Sequence, residues 1–416
     1  MKKNIVVAAT LDTKGEPAQY LKECIEARNH KVLLLDINTG GEPTIKPDIS
    51  ADMVAKAGGG DIHKFRASRN TGEITPIMIE GAIKIVSELL RIGRLSGIVS
   101  FGGASGTTIA TSIMKALPFG VPKFMASSAA SMPAYAARYM DTKDITMMHS
   151  VIDIDNLNDL SKSVLERTAG AICGMVDAST GPVKPKSDKP LIAITEFRFN
   201  GESSRYIQEM LHEMGYEVIP FHAQGIGDRA MDDLVDQGVF DGVIDLVPAG
   251  ISEYLLGGNR AADATRMEAA GRRGIPQVIT PCGFDILSCG PVERRDRADD
   301  PLWNSRKLAE RKIFIPDKYR VQVRTSTQEI HEIGLVVAEK LNRSHGPVAV
   351  LVPTQGWSIL SAKEGALYEP ESDASLVPLL RQHLRSDIVV EEIDARIDSH
   401  EFAGAVVTTL HKMMGG

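Results

Sequence analysis

Short apolar runs alternate with longer amphipathic segments along the whole chain, a pattern typical of βα units that build a parallel sheet. The runs are nearly continuous in Val, Ile, Leu and Met, as strands covered by helices on both faces require. In the first half, the predicted strands are 4–10, 31–37, 97–101, 122–127 and 145–152, and the predicted helices are 15–28, 74–93, 107–117 and 157–177.

The stretch "ASTGPVKPKSDKP" (178–190) is rich in Pro, Ser and Lys and is the best candidate for a linker. The alternating pattern restarts after it, so we predict one domain over 1–180 and a second over 190–416. The second half has predicted strands near 191–196, 217–222, 242–247, 277–281, 320–324, 348–352 and 388–393, and helices near 202–214, 228–237, 261–272, 326–342 and 399–412.

The restart repeats the beginning of the chain. The stretch from Ile5 to Gly41 can be laid without gaps on the stretch from Leu191 to Gly227, and it pairs Gly15 with Gly201. The plain alternative is that all βα units share a strand, glycine and helix order. Because the register holds over a whole βαβ unit, we predict two tandem Rossmann-like, doubly wound parallel-sheet domains related by duplication, with ligand crevices at the carboxyl ends of the strands.

Composition narrows the classes of function. Hydrophobic residues make up 43% and charged residues 24% of the chain, as in ordinary globular proteins. The net charge of −7 argues against a nonspecific nucleic-acid binder, and no apolar run approaches the roughly 18 residues of a membrane span. The four cysteines are sparse and have no zinc-binding spacing, so we expect a cytoplasmic protein.

The segment "FGGASGTTIA" (101–110) follows a predicted strand and opens a helix. Its glycines allow close backbone approach, so that several N–H groups and a helix N-terminus can converge on one anion. The plain alternative is a tight turn in which Thr107 only caps the helix. The candidate phosphate-binding residues here are Gly102, Gly103, Ser105, Gly106, Thr107 and Thr108.

This loop lacks the lysine of a Walker A motif. Lys14, in "TLDTKGE" (10–16), is a candidate replacement, because loops after strands one and three open on the same edge of a parallel sheet. Asp12 can hold Mg²⁺ directly or through water. Alternatively, Asp12 and Thr13 cap the first helix and Lys14 is solvated.

Three further loops complete the predicted crevice. Asp36 ends the second strand, where an acidic residue often accepts a ribose hydroxyl. Ser127 and Ser128 can donate to phosphate or ribose, and Asp153 or Asp155 can bind a metal ion. As isolated residues, all of these are also common turn formers.

The segments "TLDTKGEPAQYL", "GIVSFGGASGTT", "LPFGVPKFMASSAAS", "FHAQGIGDRAMDDL" and "FDILSCGP" resemble the ATP-binding domain family of the plant tobamovirus (tomato mosaic virus) resistance protein. The resemblance implies tandem Rossmann-like subdomains, with ATP and Mg²⁺ bound in the first. It favours the D-T-K segment (Asp12, Thr13, Lys14) and the glycine-rich loop (Gly102, Gly103, Ser105, Gly106, Thr107) as the nucleotide site. The role of the plant domain in inhibiting viral RNA replication does not follow for this chain.

In the second half, His222 is a candidate general base and Cys282 a candidate nucleophile. Arg229 is a candidate to bind a carboxylate or phosphate through two hydrogen bonds. The plain alternative for Cys282 is a buried small hydrophobe. Three functions remain open: an ATP- and Mg²⁺-binding protein, an enzyme using ATP or hydrolysis on a small polar acid in the interdomain cleft, and a protein-interaction module. We also expect a homo-oligomer.

Overall fold

The alternating apolar runs form the strands of two separate parallel sheets. The computed structural model describes residues 2–68, 70–182 and 188–416. The chain divides into two units, Met1–Lys184 and Pro185–Gly416, each with its own sheet and its own hydrophobic cores.

The described residues of the first unit form five strands and seven α-helices. All the strand pairings are parallel, in the order β2-β1-β3-β4-β5. The strands are β1 (Asn4–Ala9), β2 (Lys31–Asp36), β3 (Gly97–Gly102), β4 (Lys123–Ser127) and β5 (Thr146–His149), and the helices are α1 (Gly15–Glu26), α2 (Ala51–Ala57), α3 (Ile62–Ser68), α4 (Thr71–Arg91), α5 (Ala104–Lys115), α6 (Ala136–Met140) and α7 (Asp159–Ala178).

Helices cover both faces of this sheet, which explains why its strands are apolar without alternation. Successive side chains of a strand point to opposite faces. Ile5 and Val7 of β1 pack in one core with α1 and α7, whereas Val6 and Ala8 pack in another with α2, α4 and α5. Both faces of β1 are therefore fully buried, and function must lie at the ends of the strands.

The second unit contains a six-stranded parallel sheet in the order β14-β13-β9-β8-β6-β7 and a three-stranded antiparallel sheet in the order β10-β12-β11. The strands are β6 (Leu191–Glu196), β7 (Glu217–His222), β8 (Gly242–Asp245), β9 (Gln277–Ile279), β10 (Ile286–Ser288), β11 (Ile313–Asp317), β12 (Arg320–Arg324), β13 (Val348–Pro353) and β14 (Val389–Ile393). The α-helices are α8 (Ser203–Glu213), α9 (Ile226–Asp236), α10 (Ala249–Leu256), α11 (Ala269–Arg273), α12 (Val292–Arg295), α13 (Pro301–Ser305), α14 (Thr327–Asn342), α15 (Pro370–Ala374), α16 (Leu376–His383) and α17 (His400–Met413).

The two parallel sheets share one topology. The order β7-β6-β8-β9-β13 in the second unit repeats the order β2-β1-β3-β4-β5 of the first, and β14 extends it at one edge. The prediction of two tandem Rossmann-like parallel-sheet domains is confirmed, and the common strand order agrees with a duplication.

Two elements of the second unit differ from a plain βα reading. The run 320–324 is a strand, but β12 lies in the antiparallel sheet and not in the parallel one. The predicted helix 261–272 is helical only from Ala269. Arg266 turns inward to meet three aspartates, and Met267 has a positive φ of 73°, a conformation that does not occur inside a right-handed helix.

Candidate functional site

The first unit has a polar cavity of about 430 Å³ at the carboxyl ends of β1 and β3. The chain leaves β1 to form β2 on one side and then crosses over to form β3 on the other side. The strand order therefore reverses between β1 and β3, which is where open α/β sheets place their ligands. The walls of the cavity come from the segments that follow β1, β2, β3 and β5.

The first turn of α5 forms one wall of this cavity. Gly103 is the N-cap of the helix and supplies no side-chain cap, and the preceding Gly102 has a φ of +151° that favours glycine. The amide groups of Ala104, Ser105 and Gly106 lie in the first turn, where a helix offers them no internal acceptor, and all three residues line the cavity. These amides are available to an anion.

Ser100 supplies a second, independent sign of a ligand. It lies within β3, lines the same cavity and is only 1% exposed. Its hydroxyl has no hydrogen-bond partner among the described residues. Since buried polar groups are nearly always bonded, the hydroxyl is expected to contact a bound molecule or water. The sequence reasoning missed Ser100; the available signal was one hydroxyl in the apolar run "GIVSF".

Lys14 reaches the same cavity from the turn after β1. The backbone N–H of Lys14 donates to the carbonyl of Thr10 at 2.9 Å, which closes a tight turn before α1. A Cβ atom added to Gly102 would lie 3.8 Å from Cε of Lys14, so the end of the lysine side chain runs beside the glycine-rich loop. Asp12 and Thr13 line the cavity as well.

Two aspartates from the segment after β5 complete the wall. Ile154 is buried in the core with α1 and α7, and it holds the exposed Asp153 and Asp155 on either side of it. Asp153 accepts a hydrogen bond of 2.6 Å from the hydroxyl of Ser128, and Asp155 forms an ion pair with Lys14. Both aspartates line the cavity.

The charged lining residues have a negative surplus. Three carboxylates (Asp12, Asp153, Asp155) face one ammonium group (Lys14), a formal balance of −2. An anionic ligand in this cavity therefore needs a cation with it, as well as the amides of α5.

Several predicted contacts do not line this cavity. Asp36 is fully buried and accepts hydrogen bonds from the N–H groups of Leu11 and Asn38 and from the Asn38 side chain, and burial is the main cause of its raised pKa. It shapes the chain after β2 rather than offering an oxygen to ribose. Ser127 is also fully buried and bonds to the Thr107 hydroxyl at 2.6 Å.

Two of the predicted hydroxyls on α5 are likewise bonded to protein groups. Those of Thr107 and Thr108 donate to the carbonyls of Gly103 and Ala104 one turn earlier, at 2.8 and 3.0 Å. In contrast, Ser105 is exposed and its hydroxyl has no partner among the described residues. Ser105 thus carries the one predicted hydroxyl on α5 that lines the cavity and has no partner within 2–68, 70–182 and 188–416.

The equivalent crevice in the second unit is closed. Helix α10 begins seven residues after the start of β8, just as α5 begins seven residues after the start of β3. The first residues of α10 (Ala249–Ser252) are all buried. Asp245 is the fourth residue of β8, as Ser100 is the fourth residue of β3. Asp245 accepts from Thr195 at 2.8 Å and from the buried Arg266 at 2.7 Å, so protein groups fill this crevice.

The three predicted catalytic residues do not form one site. His222 ends the edge strand β7 and is exposed, whereas Cys282 follows β9, is fully buried in an apolar core and has a pKa raised well above its usual value by burial. Strands β6 and β8 lie between β7 and β9, which is a separation of about 14 Å. Arg229 is paired with Asp263 at 2.8 Å. The candidate nucleophile Cys282 and the candidate base His222 therefore do not meet.

The described residues contain neither a metal-binding cluster nor a membrane-spanning helix. No group of three or more His, Cys, Asp or Glu side chains in 2–68, 70–182 and 188–416 is arranged to hold a metal ion. None of the helices described there combines the length and the apolar character needed to cross a membrane.

The fold and the cavity define a protein of two tandem Rossmann-like domains, of which the first has an open strand-end crevice suited to an anion. Comparison with known families identifies the particular family. Residues 3–181 match the N-terminal domain and residues 189–414 the C-terminal domain of the uncharacterised protein family UPF0261. The chain belongs to this family.

Relatives span bacteria and plants. A UPF0261 protein of Clostridium tetani is 35% identical over 100% of both chains. The ToMV susceptible protein tm-1(GCR26) of Solanum lycopersicum is 28% identical and covers 97% of this chain and 55% of its own length. The relationship to the plant resistance protein that the motifs indicated is thus confirmed; ATP binding stays a prediction.

Solved structures give weaker likenesses. The thioesterase domain from the curacin biosynthetic pathway has a TM-score of 0.27 and 11% identity, covering 54% of this chain and 92% of that one. The UDP-N-acetylglucosamine 2-epimerase from Rickettsia bellii has a TM-score of 0.22 and 14% identity, covering 67% of this chain and 78% of that one. Scores this low carry no argument about function.

Proposed function

We propose that the protein binds ATP together with Mg²⁺ in the cavity of the first unit. The observation that carries this proposal is the meeting of three elements at the point where the strand order reverses: the uncapped first turn of α5, the unpartnered Ser100 hydroxyl and the Lys14 ammonium group. The resemblance of the chain to the ATP-binding domain family of the plant resistance protein adds support.

In this proposal the polyphosphate lies against α5. The amides of Ala104, Ser105 and Gly106 donate to phosphate oxygens, and the helix dipole favours the negative charge. The exposed hydroxyl of Ser105 and the buried hydroxyl of Ser100 each add a further hydrogen-bond donor to the phosphates. Lys14 exchanges its ion pair with Asp155 for a phosphate oxygen.

The magnesium ion follows from the charge balance of the cavity. A polyphosphate would bring further negative charge to a lining that already has a surplus of two carboxylates. Mg²⁺ typically binds through one or two carboxylates, substrate phosphates and waters. We assign Asp12 as the carboxylate that binds the Mg²⁺, since it lines the cavity in the turn after β1, next to Lys14.

Isothermal titration calorimetry tests the proposal. The chain is titrated with ATP in the presence of Mg²⁺, with ATP in EDTA, and with AMP in the presence of Mg²⁺. We expect saturable binding of ATP with Mg²⁺, and binding at least about 10-fold weaker without the metal or without the β- and γ-phosphates. Absence of heat and of any thermal shift at millimolar ATP and Mg²⁺ would contradict the proposal.

A further inference from the structure

We propose that the second unit carries a separate binding site for a small zwitterionic metabolite, of which a free α-amino acid is the simplest form. A cavity of about 620 Å³ opens at the carboxyl ends of β6 and β7, beside the first turns of α8. It lies within the usual size range of small-molecule sites. It is larger than the cavity of the first unit and differs from it in chemistry.

Arg198 supplies the contact for the carboxylate end. It lies between Phe197 and Phe199, which are both 6% exposed and pack edge to face with ring centroids 5.4 Å apart. With both neighbours anchored in the core, Arg198 is held outward, exposed and in the cavity wall. Its guanidinium has no ion pair or hydrogen bond among the described residues. A planar guanidinium of this kind matches a carboxylate with two parallel hydrogen bonds.

Glu196 supplies the contact for the ammonium end. It is half-buried at the end of β6, and one of its carboxylate oxygens, Oε2, accepts from the hydroxyl of Ser204 and from Gln208. The other oxygen has no partner among the described residues. His222 is the register neighbour of Glu196 on β7 and lines the same cavity, where Gln224 contacts its Nε2 atom at 2.7 Å.

Glu196 and Arg198 are placed to contact one ligand, because both line the cavity. The intervening Phe197 is fully extended, with φ −156° and ψ 172°. Side chains two residues apart in an extended segment lie on the same side of the backbone, with Cα atoms about 7 Å apart, so the carboxylate and the guanidinium can bind the two ends of one short zwitterion.

The other lining groups argue against a different ligand. The guanidinium of Arg205 is already bonded to Glu202 and to Glu209, each at 2.7 Å, so it is not free to neutralise a phosphate. The described lining holds three glutamates and two arginines, which disfavours a polyanion. Phe197 is the one large apolar side chain in that lining, which disfavours a lipid. A ligand with one charge of each sign fits the balance best.

Saturation-transfer NMR on the full chain, with an equimolar mixture of the twenty common L-amino acids, tests this site. We expect signal from at least one amino acid. Its N-acetyl derivative and its carboxamide, which lack the ammonium and the carboxylate respectively, should each bind at least about 10-fold more weakly.

Arg198→Gln and Glu196→Gln should each weaken that binding by a similar factor. Arg295→Gln is the matched control, because Arg295 is exposed in the same unit, has no ion pair or hydrogen bond among the described residues and lies outside the cavity. Lys14→Gln, in the first unit, should leave amino-acid binding unchanged, which separates this site from the proposed nucleotide site. The proposal is overturned if no amino acid binds at about 10 mM, which is roughly ten times the upper end of typical KM values, or if Arg198→Gln and Arg295→Gln bind equally well.

Discussion

The ammonium group of Lys14 donates to a carboxylate oxygen of Asp155, a residue 141 positions further along the chain, and both side chains line the cavity of the first unit. Lys14 is largely covered, with 13% of its side chain exposed, whereas Asp155 is 70% exposed. Lys14 is the one cation among the described residues of the lining, so a polyphosphate must compete with Asp155 for it.

Asp155→Asn is expected to strengthen the binding of ATP in EDTA by about two- to fivefold, because it frees Lys14 and removes one repelling charge, and an exposed pair of this kind is worth at most about 1 kcal/mol. Calorimetry at low ionic strength measures the change. Asp159→Asn, an exposed aspartate nearby on α7 and outside the lining, is the control. Equal affinities in both variants and the wild type would mean that Lys14 does not contact the phosphates.

Ser105→Asp is expected to abolish the binding of ATP while leaving stability unchanged or slightly raised. A carboxylate in the first turn of α5 interacts favourably with the helix dipole, by about 0.3–1 kcal/mol, but it repels a phosphate at the same amides. Ser112→Asp introduces the same charge about 10 Å further along the helix and should reduce affinity only slightly. Thermal unfolding measures the stability of both variants, and calorimetry measures their affinity for ATP. Similar affinities of Ser105→Asp and Ser112→Asp would refute the prediction.

Arg266→Met is expected to destabilise the second unit by about 3–5 kcal/mol, because it leaves buried aspartates without a counter-ion. Arg266 is fully buried and lies within 3.5 Å of Asp228, Asp232 and Asp245. Arg272→Met removes an exposed arginine from Asp236 and Glu268 and should cost less than about 1 kcal/mol.

Urea unfolding measures both changes. Adding Asp228→Asn to Arg266→Met should restore part of the lost stability, since both carboxylate oxygens of Asp228 lack a hydrogen-bond partner among the described residues. A loss of similar size in Arg266→Met and Arg272→Met would show that the cluster has no special electrostatic role.

The stability of the second unit is expected to fall as the pH rises from about 4 to about 7. Burial raises the pKa of Asp373 to about 7 in the folded state even though it pairs with Arg324, and burial likewise raises that of Asp232 to about 6. In the unfolded chain both groups titrate near 4, so between these values the folded state binds more protons and loses stability as they are released.

Relative to wild type, Asp373→Asn should therefore gain stability as the pH rises, by up to about 4 kcal/mol between pH 4 and 8. Urea unfolding at several pH values measures this difference. Asp387→Asn is the control: Asp387 is exposed, and its hydrogen bond with Arg385 lowers its pKa, so its effect runs in the opposite direction and is small. A constant offset between wild type and Asp373→Asn across this range would rule out the assignment.

Most of the parallel-sheet strands were predictable, because a strand covered on both faces must be a short, nearly continuous apolar run. The run 4–10 became β1 and the run 31–37 became β2, each within one residue. The strands of the antiparallel sheet were harder to place, since neither β10 nor β11 was among the predicted strands. The local pattern of Arg320–Arg324 is that of a strand, but it does not say which sheet the strand joins.

The sequence alone determined the βα alternation, the internal repeat and the glycine-rich turn after β3, because these depend on local periodicity and backbone freedom. Only the tertiary structure decided that Lys14, Ser100 and Asp155 share one cavity, that Asp36 and Cys282 are buried, and that the crevice of the second unit is filled around Arg266. The reason is physical: a local pattern fixes which face a side chain takes, whereas its neighbours come from distant strands whose order depends on how the crossovers pack.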